Sequence, residues 1–293
     1  MIQITDFDYI QIKLASPMHI IDWGQKILPN GDFIGEISHS ETINYRTFKP
    51  EMGGLFCERI FGPSINWECY CGKYRQVRKY KNFICDRCGV EVTQSQVRRY
   101  RMGFIRLNSP ATHIWYLRSV PSFISLLLGE KRKDVEQKVY FSQSRDTTLS
   151  DTIEENDSEI MKFSNYFNLD NLYDFTNTLE PKVVGSELLQ KELEALNLLQ
   201  LSNTLRNKIT FLKNVVTEKK EFQKEELEKE LKLLVKRIRI IENFISTGSN
   251  PTWMILTYLP VIPPDLRPMI QMEGGKFATC DLNVLYRSII IRN

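Results

Sequence analysis

Residues 69–89 read CYCGKYRQVRKYKNFICDRCG, and this stretch is the most informative in the chain. Two close cysteine pairs, Cys69 with Cys71 and Cys85 with Cys88, supply four thiolates at a spacing typical of a tetrahedral zinc site. Each pair is followed by a glycine, which lets the backbone turn sharply around a metal-bound sulfur. Because four thiolates leave no coordination position for water, the pattern predicts one structural zinc ion per chain.

The composition indicates a soluble protein made of two domains or of one extended, multi-part module. The 293 residues are 42% apolar and 26% charged, with a formal net charge of +3. The N-terminus lacks a signal-peptide pattern, and the most apolar window, residues 253–262, is too short to span a bilayer, so we expect no membrane partner. Cys57 and Cys280 have no obvious partners, and a reducing compartment fits the cysteine usage best.

The order of motifs predicts a mixed α+β fold with a small zinc-binding module, a helical hairpin, short strands and long loops. The predicted segments are a loop-rich N-terminal part, the zinc module, short helices, a variable polar insert, an antiparallel helical hairpin, a proline-rich loop and the start of a last helix. Their bounds are 1–68, 69–106, 107–139, 140–182, 183–250, 251–278 and 279–293.

Apolar residues at four-three spacing carry the prediction of the hairpin. The first stripe is Leu205, Ile209, Leu212 and Val216, and the second is Leu227, Leu231, Leu234, Ile238, Ile241 and Ile245. Two antiparallel helices joined near residues 218–223 bury both stripes against each other. A further helix is predicted to open at Asp281; it stops without a closing Gly or Pro, a pattern typical of truncation.

Positive charge is concentrated around the cysteines. Residues 69–106 contain ten lysines and arginines against two acidic residues, a balance of +8, with four tyrosines interleaved. Clustered cations beside aromatic rings are typical of surfaces that bind nucleic acid, although a solvated basic surface is the alternative. The candidate contacts in the loop between the cysteine pairs are Lys73, Arg75, Arg78, Lys79 and Lys81.

The search for catalytic residues finds no candidate. Gly274, Gly275 and Lys276 resemble the end of a phosphate-binding loop, but the first glycine and the final Ser/Thr of that motif are missing. The three histidines fit no protease or triad pattern, and no aspartate cluster could hold a pair of Mg²⁺ ions. We therefore expect the chain alone to catalyse nothing.

Several motifs in one order resemble the N-terminal part of the β′ subunit of bacterial-type RNA polymerase. They are ETINYRTFKPE (41–51), GLFCERIFGP (54–63), CYCGKY (69–74), CDRCGVEVT (85–93), VRRYRMG (97–103), SPATHIWYL (109–117), PTWMIL (251–256) and LPVIPPDLRP (259–268). The resemblance covers most of residues 10–140 and 185–293, and it implies that Cys69, Cys71, Cys85 and Cys88 hold zinc. Residues 107–139 then correspond to helices of the polymerase clamp.

The resemblance also implies nucleic-acid contacts. Residues 42–49 would form the element near the upstream edge of the RNA–DNA hybrid, with Arg46 and Lys49 as phosphate contacts. Residues 260–276 would form the lid, a loop between RNA and template, with Arg267 as its phosphate ligand. The helix from Asp281 would begin the clamp coiled coil that receives sigma factor, a partner expected only for the full-length subunit.

The family's active-site signature, NADFDGD, is absent from this sequence. The resemblance therefore implies a clamp and zinc portion of a DNA-directed RNA polymerase, inactive alone, with Mg²⁺ bound elsewhere in the assembly. The implied partners are β, α, the remaining β′ portion, DNA and RNA. Residues 27–36 are similar to the split plastid and cyanobacterial subunit, which favours a plastid over a bacterial cytoplasm. The alternative is a free-standing zinc-containing nucleic-acid-binding protein.

Overall fold

The structure is a computed structural model that describes residues 9–27, 31, 33–75, 83–141, 185–218, 221–272 and 275–293. Within these ranges it does not describe the side chains of residues 215–226. The chain divides into two compact units, the first made of Met1–His113 and Leu198–Asn293 and the second of Ile114–Asn197. The seven predicted segments divide the chain more finely than these two units do, and that finer division stays a prediction.

Helices and short strands alternate along the described chain. The α-helices are α1 (Pro17–Gly24), α2 (Glu58–Phe61), α3 (Ile114–Arg118), α4 (Phe123–Leu128), α5 (Arg132–Val139), α6 (Ser186–Glu194), α7 (Leu198–Glu218), α8 (Glu221–Thr247) and α9 (Asp281–Arg292). The strands are β1 (Lys26–Ile27), β2 (Phe33–Ile34), β3 (Phe83–Ile84), β4 (Glu91–Val92), β5 (Gly103–Thr112), β6 (Ile255–Val261), β7 (Met269–Gln271) and β8 (Phe277–Thr279). Short 3-10 helices occupy Ser95–Arg99, Pro251–Met254 and Pro264–Leu266.

The first unit is organised around the antiparallel pair β5 and β6. Gly103 lies opposite Val261 and Arg106 opposite Tyr258, and the register shifts before Ala111. A buried apolar cluster packs here, and its members are Ile37, Leu55, Phe56, Cys57, Ile60, Phe61, Ile105 and Val261. The remaining strands pair locally as the antiparallel hairpins β1–β2, β3–β4 and β7–β8. The predicted mixture of helices with short strands is thus confirmed.

Local sequence signals set several helix ends. Ser16 caps α1 by accepting a hydrogen bond from the amide of His19, and Pro17 occupies the first helical position, where its missing N–H costs nothing. Ser122 caps α4 in the same way, and Gly129 ends that helix in the left-handed conformation. Helices α3 and α4, which flank Pro121, lie within the segment predicted to hold short helices, but α3 buries only Leu117.

An ionic cluster links helices α5 and α6 of the second unit. Lys138 on α5 donates to Glu130 at 2.6 Å and to Glu192 on α6 at 3.0 Å. The ring of Phe141 lies so close to Gly185 that a Cβ there would sit 2.6 Å from it. The two ends of the described chain around residues 142–184 therefore meet, while the predicted insert at 140–182 lies almost wholly outside the described residues.

Helices α7 and α8 carry the two apolar stripes. Their buried members are Leu205, Ile209, Leu212, Leu234 and Ile241. Ion pairs join the two helices, Arg206 to Glu242 at 2.6 Å and Lys208 to Glu230 at 3.0 Å.

No helix of the described residues combines the length and the apolar character needed to cross a bilayer.

Candidate functional site

Two similar turns bring the four cysteines together. The amide of Cys69 donates to the carbonyl of Tyr74, and the amide of Cys85 donates to that of Val90, each at 3.0 Å. Gly72 and Gly89 both have positive φ, 72° and 68°. Only glycine adopts this conformation without strain, so the sequence prediction for the two glycines is confirmed.

The sulfur positions fit a tetrahedral metal site. The sulfur of Cys71 lies 3.6 Å from that of Cys69 and 3.6 Å from that of Cys85. All four ligand atoms lie within 4.8 Å of one another. Zinc–sulfur bonds of about 2.3 Å around one ion require sulfur separations of about 3.8 Å. The cluster can therefore hold a metal ion, and within the described ranges no other cluster of His, Cys, Asp and Glu meets the same test.

The surroundings of the thiols differ across the cluster. Burial raises the pKa of Cys69 and raises the pKa of Cys88 to about 12. At Cys71, burial also acts to raise the pKa, but hydrogen bonds from the amide of Lys73 and from the neighbouring cysteines outweigh it and lower the pKa to about 7. Cys71 is thus the thiol of these three that most readily gives the thiolate form that binds metal.

The first described residues of the basic loop make ion pairs at the surface. Lys73 pairs with Asp86 at 2.7 Å, which links the two cysteine turns. Arg75 lies 3.5 Å from Glu68 and stays largely exposed. Arg78, Lys79 and Lys81 lie outside the described residues. Lys73 and Arg75 are therefore accessible, and their contacts with nucleic acid stay a prediction.

Residues 42–50 form a closed turn whose candidate contacts are exposed. The Asn44 side chain accepts hydrogen bonds from the amides of Arg46 at 3.0 Å and Thr47 at 3.2 Å. The Lys49 ammonium donates to the backbone carbonyl of Tyr70 at 3.1 Å and lies 5.4 Å from the centre of the Tyr70 ring. Arg46 and Lys49 are both exposed, and Lys49 contacts Tyr70, which stands between Cys69 and Cys71.

Comparison with known proteins then decides the family. The model of RNA polymerase Rpb1, domain 1, matches residues 4–293. The chain belongs to the RNA polymerase Rpb1 domain 1 family. It is 48% identical over 291 residues to DNA-directed RNA polymerase subunit gamma of Prochlorococcus marinus, strain NATL1A, and 50% identical over 290 residues to DNA-directed RNA polymerase subunit beta' of Guillardia theta.

A third relative has the same extent. DNA-directed RNA polymerase subunit gamma of Synechococcus sp., strain RCC307, is 47% identical over 299 residues. Each of these alignments covers 98% or 99% of this chain but 44% of the relative. The chain thus spans less than half the length of the curated relatives it matches.

The structure corrects the assignment of Arg267 as a phosphate ligand in this member of the Rpb1 domain 1 family. Its side chain is 0% exposed. The guanidinium donates to the carbonyls of Ile262 at 2.9 Å and Leu55 at 2.5 Å, and to Asn283 Oδ1 at 2.9 Å. Burial lowers its pKa to about 10. A guanidinium enclosed in this way cannot reach a phosphate, so Arg267 is a core residue and its assignment as a phosphate ligand is wrong.

Part of the basic flank is internal as well. Arg98 is buried and donates to the carbonyls of Gly62 at 2.7 Å and Phe56 at 3.3 Å. Arg101 pairs with Glu91 at 2.5 Å in a largely buried position. The excess charge of residues 69–106 is therefore not one continuous surface, because some of its cations hold the backbone of the core.

Sequence reasoning missed two features of this family member. Lys26 donates to the carbonyl of Ile60 at 2.9 Å, so Lys26, Arg98 and Arg267 all donate to carbonyls of residues 55–62. In addition, the rings of Tyr45 and Phe48 lie 5.8 Å and 6.0 Å from that of Phe277 on β8. Phe48 has a positive φ of 55°, which no sequence signal indicated.

Proposed function

We propose that this chain is the N-terminal clamp and zinc-module portion of the β′ subunit of DNA-dependent RNA polymerase, holding template DNA and nascent RNA during transcription. The match of 98% of the chain, at 48% identity, to a polymerase gamma subunit carries the proposal. The same match disfavours a free-standing zinc-containing nucleic-acid-binding protein, since that alternative predicts no likeness to a polymerase outside the cysteine module.

Zinc is the proposed metal, held by the four cysteines as a structural ion. Four soft thiolates suit zinc, and they leave no open position for a substrate. Mg²⁺ prefers carboxylate oxygens, and the described residues contain no such cluster. Nucleotidyl transfer is therefore assigned to the assembled polymerase, with the catalytic Mg²⁺ bound by the remaining β′ portion and the isolated chain inactive.

The surface proposed to meet nucleic acid consists of the turn at residues 42–50 and the basic loop. Arg46, Lys49, Lys73 and Arg75 are exposed in the structure, and Arg78, Lys79 and Lys81 join them on the sequence alone. We assign residues 260–276 to a lid between RNA and template, and the antiparallel pairing of Met269 with Thr279 and of Gln271 with Phe277 supports a loop in the second half of that segment.

The remaining assignments concern the helical elements, the partner subunits and the cellular location of the chain. We infer that α7 and α8 form the antiparallel hairpin and that α9 begins the coiled coil that receives sigma factor in the full-length subunit. The partners are the β and α subunits and the remaining β′ portion. A plastid is the proposed location and a bacterial cytoplasm the alternative, and the relatives from Guillardia theta and Prochlorococcus marinus agree with both.

Reconstitution tests the proposal. The chain is co-expressed with its cognate β, α and remaining β′ subunits, purified by a tag on β, and assayed for template-dependent RNA synthesis. We expect the chain to co-purify and RNA synthesis to require it. A chain that stays out of the complex, and binds RNA as a stable monomer, would support the free-standing protein instead.

A further inference from the structure

Lys49 connects the turn at residues 42–50 with the metal-binding turn. Its ammonium donates to the Tyr70 carbonyl at 3.1 Å and lies 5.4 Å from the centre of the Tyr70 ring. Tyr70 stands between the ligand residues Cys69 and Cys71 in the sequence. The ammonium therefore contacts the short segment whose backbone is fixed when both cysteines bind one ion.

Internal hydrogen bonds close the turn at residues 42–50. The amide of Asn44 donates to the carbonyl of Lys49 at 2.9 Å, and the amide of Phe48 donates to that of Asn44 at 2.8 Å. The Asn44 side chain closes the same turn through the amides of Arg46 and Thr47. These bonds close the turn without linking it to the cysteine module, and opening the turn for a protease breaks both them and the contact of Lys49 with Tyr70.

Side-chain contacts link the turn to other parts of the chain. Tyr45 and Phe48 pack beside Phe277, and Lys49 reaches Tyr70. The contact with Phe277 does not involve the cysteine module, whereas the contact of Lys49 ends on the backbone of that module. The ammonium has three N–H groups, so donating to Tyr70 leaves others for a phosphate.

We propose that Lys49 is a positioning residue that transmits the metal-bound conformation of residues 69–71 to the turn that carries Arg46. In the metal-bound chain, Cys69 and Cys71 hold the Tyr70 carbonyl in place, and Lys49 anchors the turn to it. Without metal the anchor point moves and the turn loses this restraint. The inference rests on the proposed function only in naming nucleic acid as what Arg46 meets.

Limited proteolysis of the full chain tests the coupling. An arginine-specific protease reports the accessibility of the bond after Arg46 in the wild type, in Lys49→Met and in the matched control Lys13→Met, each with zinc and after chelation. Lys13 is exposed and lies outside the turn and the cysteine module. Zinc content is measured for every sample.

We expect Lys49→Met to be cleaved after Arg46 about fivefold faster than the wild type when zinc is bound, as fits the loss of one exposed hydrogen bond and one cation–π contact. After chelation the two rates converge, because the wild-type anchor is lost as well. Lys13→Met follows the wild type, and all three chains hold one zinc.

Three results would overturn the inference. Equal cleavage of Lys49→Met and wild type with zinc bound would show that Lys49 does not restrain the turn. A fivefold difference that persists after chelation would show a restraint independent of the metal. Loss of zinc from Lys49→Met would show that Lys49 supports the metal site instead of transmitting its state. Each readout uses the isolated chain, so failure to assemble with polymerase subunits leaves this test intact.

Discussion

Arg267 and Asn283 exchange two hydrogen bonds in the interior of the first unit. The guanidinium donates to Asn283 Oδ1 at 2.9 Å, and Asn283 Nδ2 donates to the Arg267 carbonyl at 2.9 Å. A third bond from Arg267 reaches the carbonyl of Leu55, 212 residues away in sequence. The pair thus joins the start of α9, the proline-rich loop and the segment that leads into α2.

Replacing Arg267 by methionine should destabilise the first unit strongly. Methionine keeps much of the volume but leaves the carbonyls of Leu55 and Ile262 and the Asn283 side chain without their donor. We expect a loss of about 2–5 kcal/mol in the free energy of unfolding, measured by denaturant titration of the zinc-loaded chain. The control Arg99→Met removes a largely exposed arginine that lies 3.8 Å from Asp265, and should change stability by less than about 0.5 kcal/mol. Equal effects of the two changes would contradict the assignment of Arg267 to the core.

Lys26 should make the stability of the first unit rise with pH. Burial, and then the charge of Arg101, lower its pKa from 10.5 to about 7. Between these two values the unfolded chain binds more protons than the folded chain, so the free energy of unfolding increases as pH rises through this window. Below about pH 7 both states are protonated and the penalty is constant.

The variant Lys26→Met isolates this contribution. The free energy of unfolding is measured at about pH 7 and about pH 9.5 for both chains, and the increase should be larger in the wild type by on the order of 2 kcal/mol. Other titrating groups contribute equally to the two chains and cancel in the comparison. Parallel pH profiles would mean that Lys26 keeps an ordinary pKa in the folded protein.

Loss of one ligand should remove the metal. Cys88→Ser replaces a thiolate by a poor zinc ligand, and we expect the affinity for zinc to fall by more than about 100-fold, measured by competition with a chromophoric chelator. Cys280→Ser is the matched control, because Cys280 lies outside the cluster. A Cys88→Ser chain that still holds zinc as tightly as this control would exclude the four-cysteine site.

Removal of the polar insert should leave the second unit folded. Phe141 and Gly185 lie in contact, and Lys138 ties α5 to α6. A linker of about four Gly and Ser residues in place of residues 143–184 should therefore change the thermal midpoint by less than about 3 °C. The same deletion combined with Gly185→Leu should lower it clearly, because Gly185 has a φ of +71° and no room for a side chain. Loss of cooperative unfolding in the simple deletion would show that the insert is part of the unit.

Features that depend on neighbouring residues were the ones that the sequence predicted. The glycines after each cysteine pair and the opening of α9 at Asp281 follow from local turn and capping rules. The approach of the four cysteines was predictable too, because two close cysteine pairs separated by a short loop are the ligand pattern of zinc modules.

The burial of Arg267 could not be predicted from its neighbours in the sequence. In the sequence it stands in a proline-rich loop, a setting typical of an exposed cation. Its burial depends on Leu55 and on three aromatic rings from other parts of the chain, Phe56, Phe61 and Tyr286. Arg98 and Lys26 were missed for the same reason, because distant carbonyls decide whether a cation is a surface charge or a core donor.

The pairing of β5 with β6 has a consequence for synthesis of the protein. Strand β5 ends at Thr112, and β6 begins at Ile255, so the ribosome must add about 140 residues before the partner strand exists. At ordinary translation speeds this takes about 7 to 30 seconds. In that time the second unit is synthesised and can fold, while the edge of β5 that pairs with β6 stays without its partner. A nascent chain paused in this interval should be a preferred client of ribosome-associated chaperones.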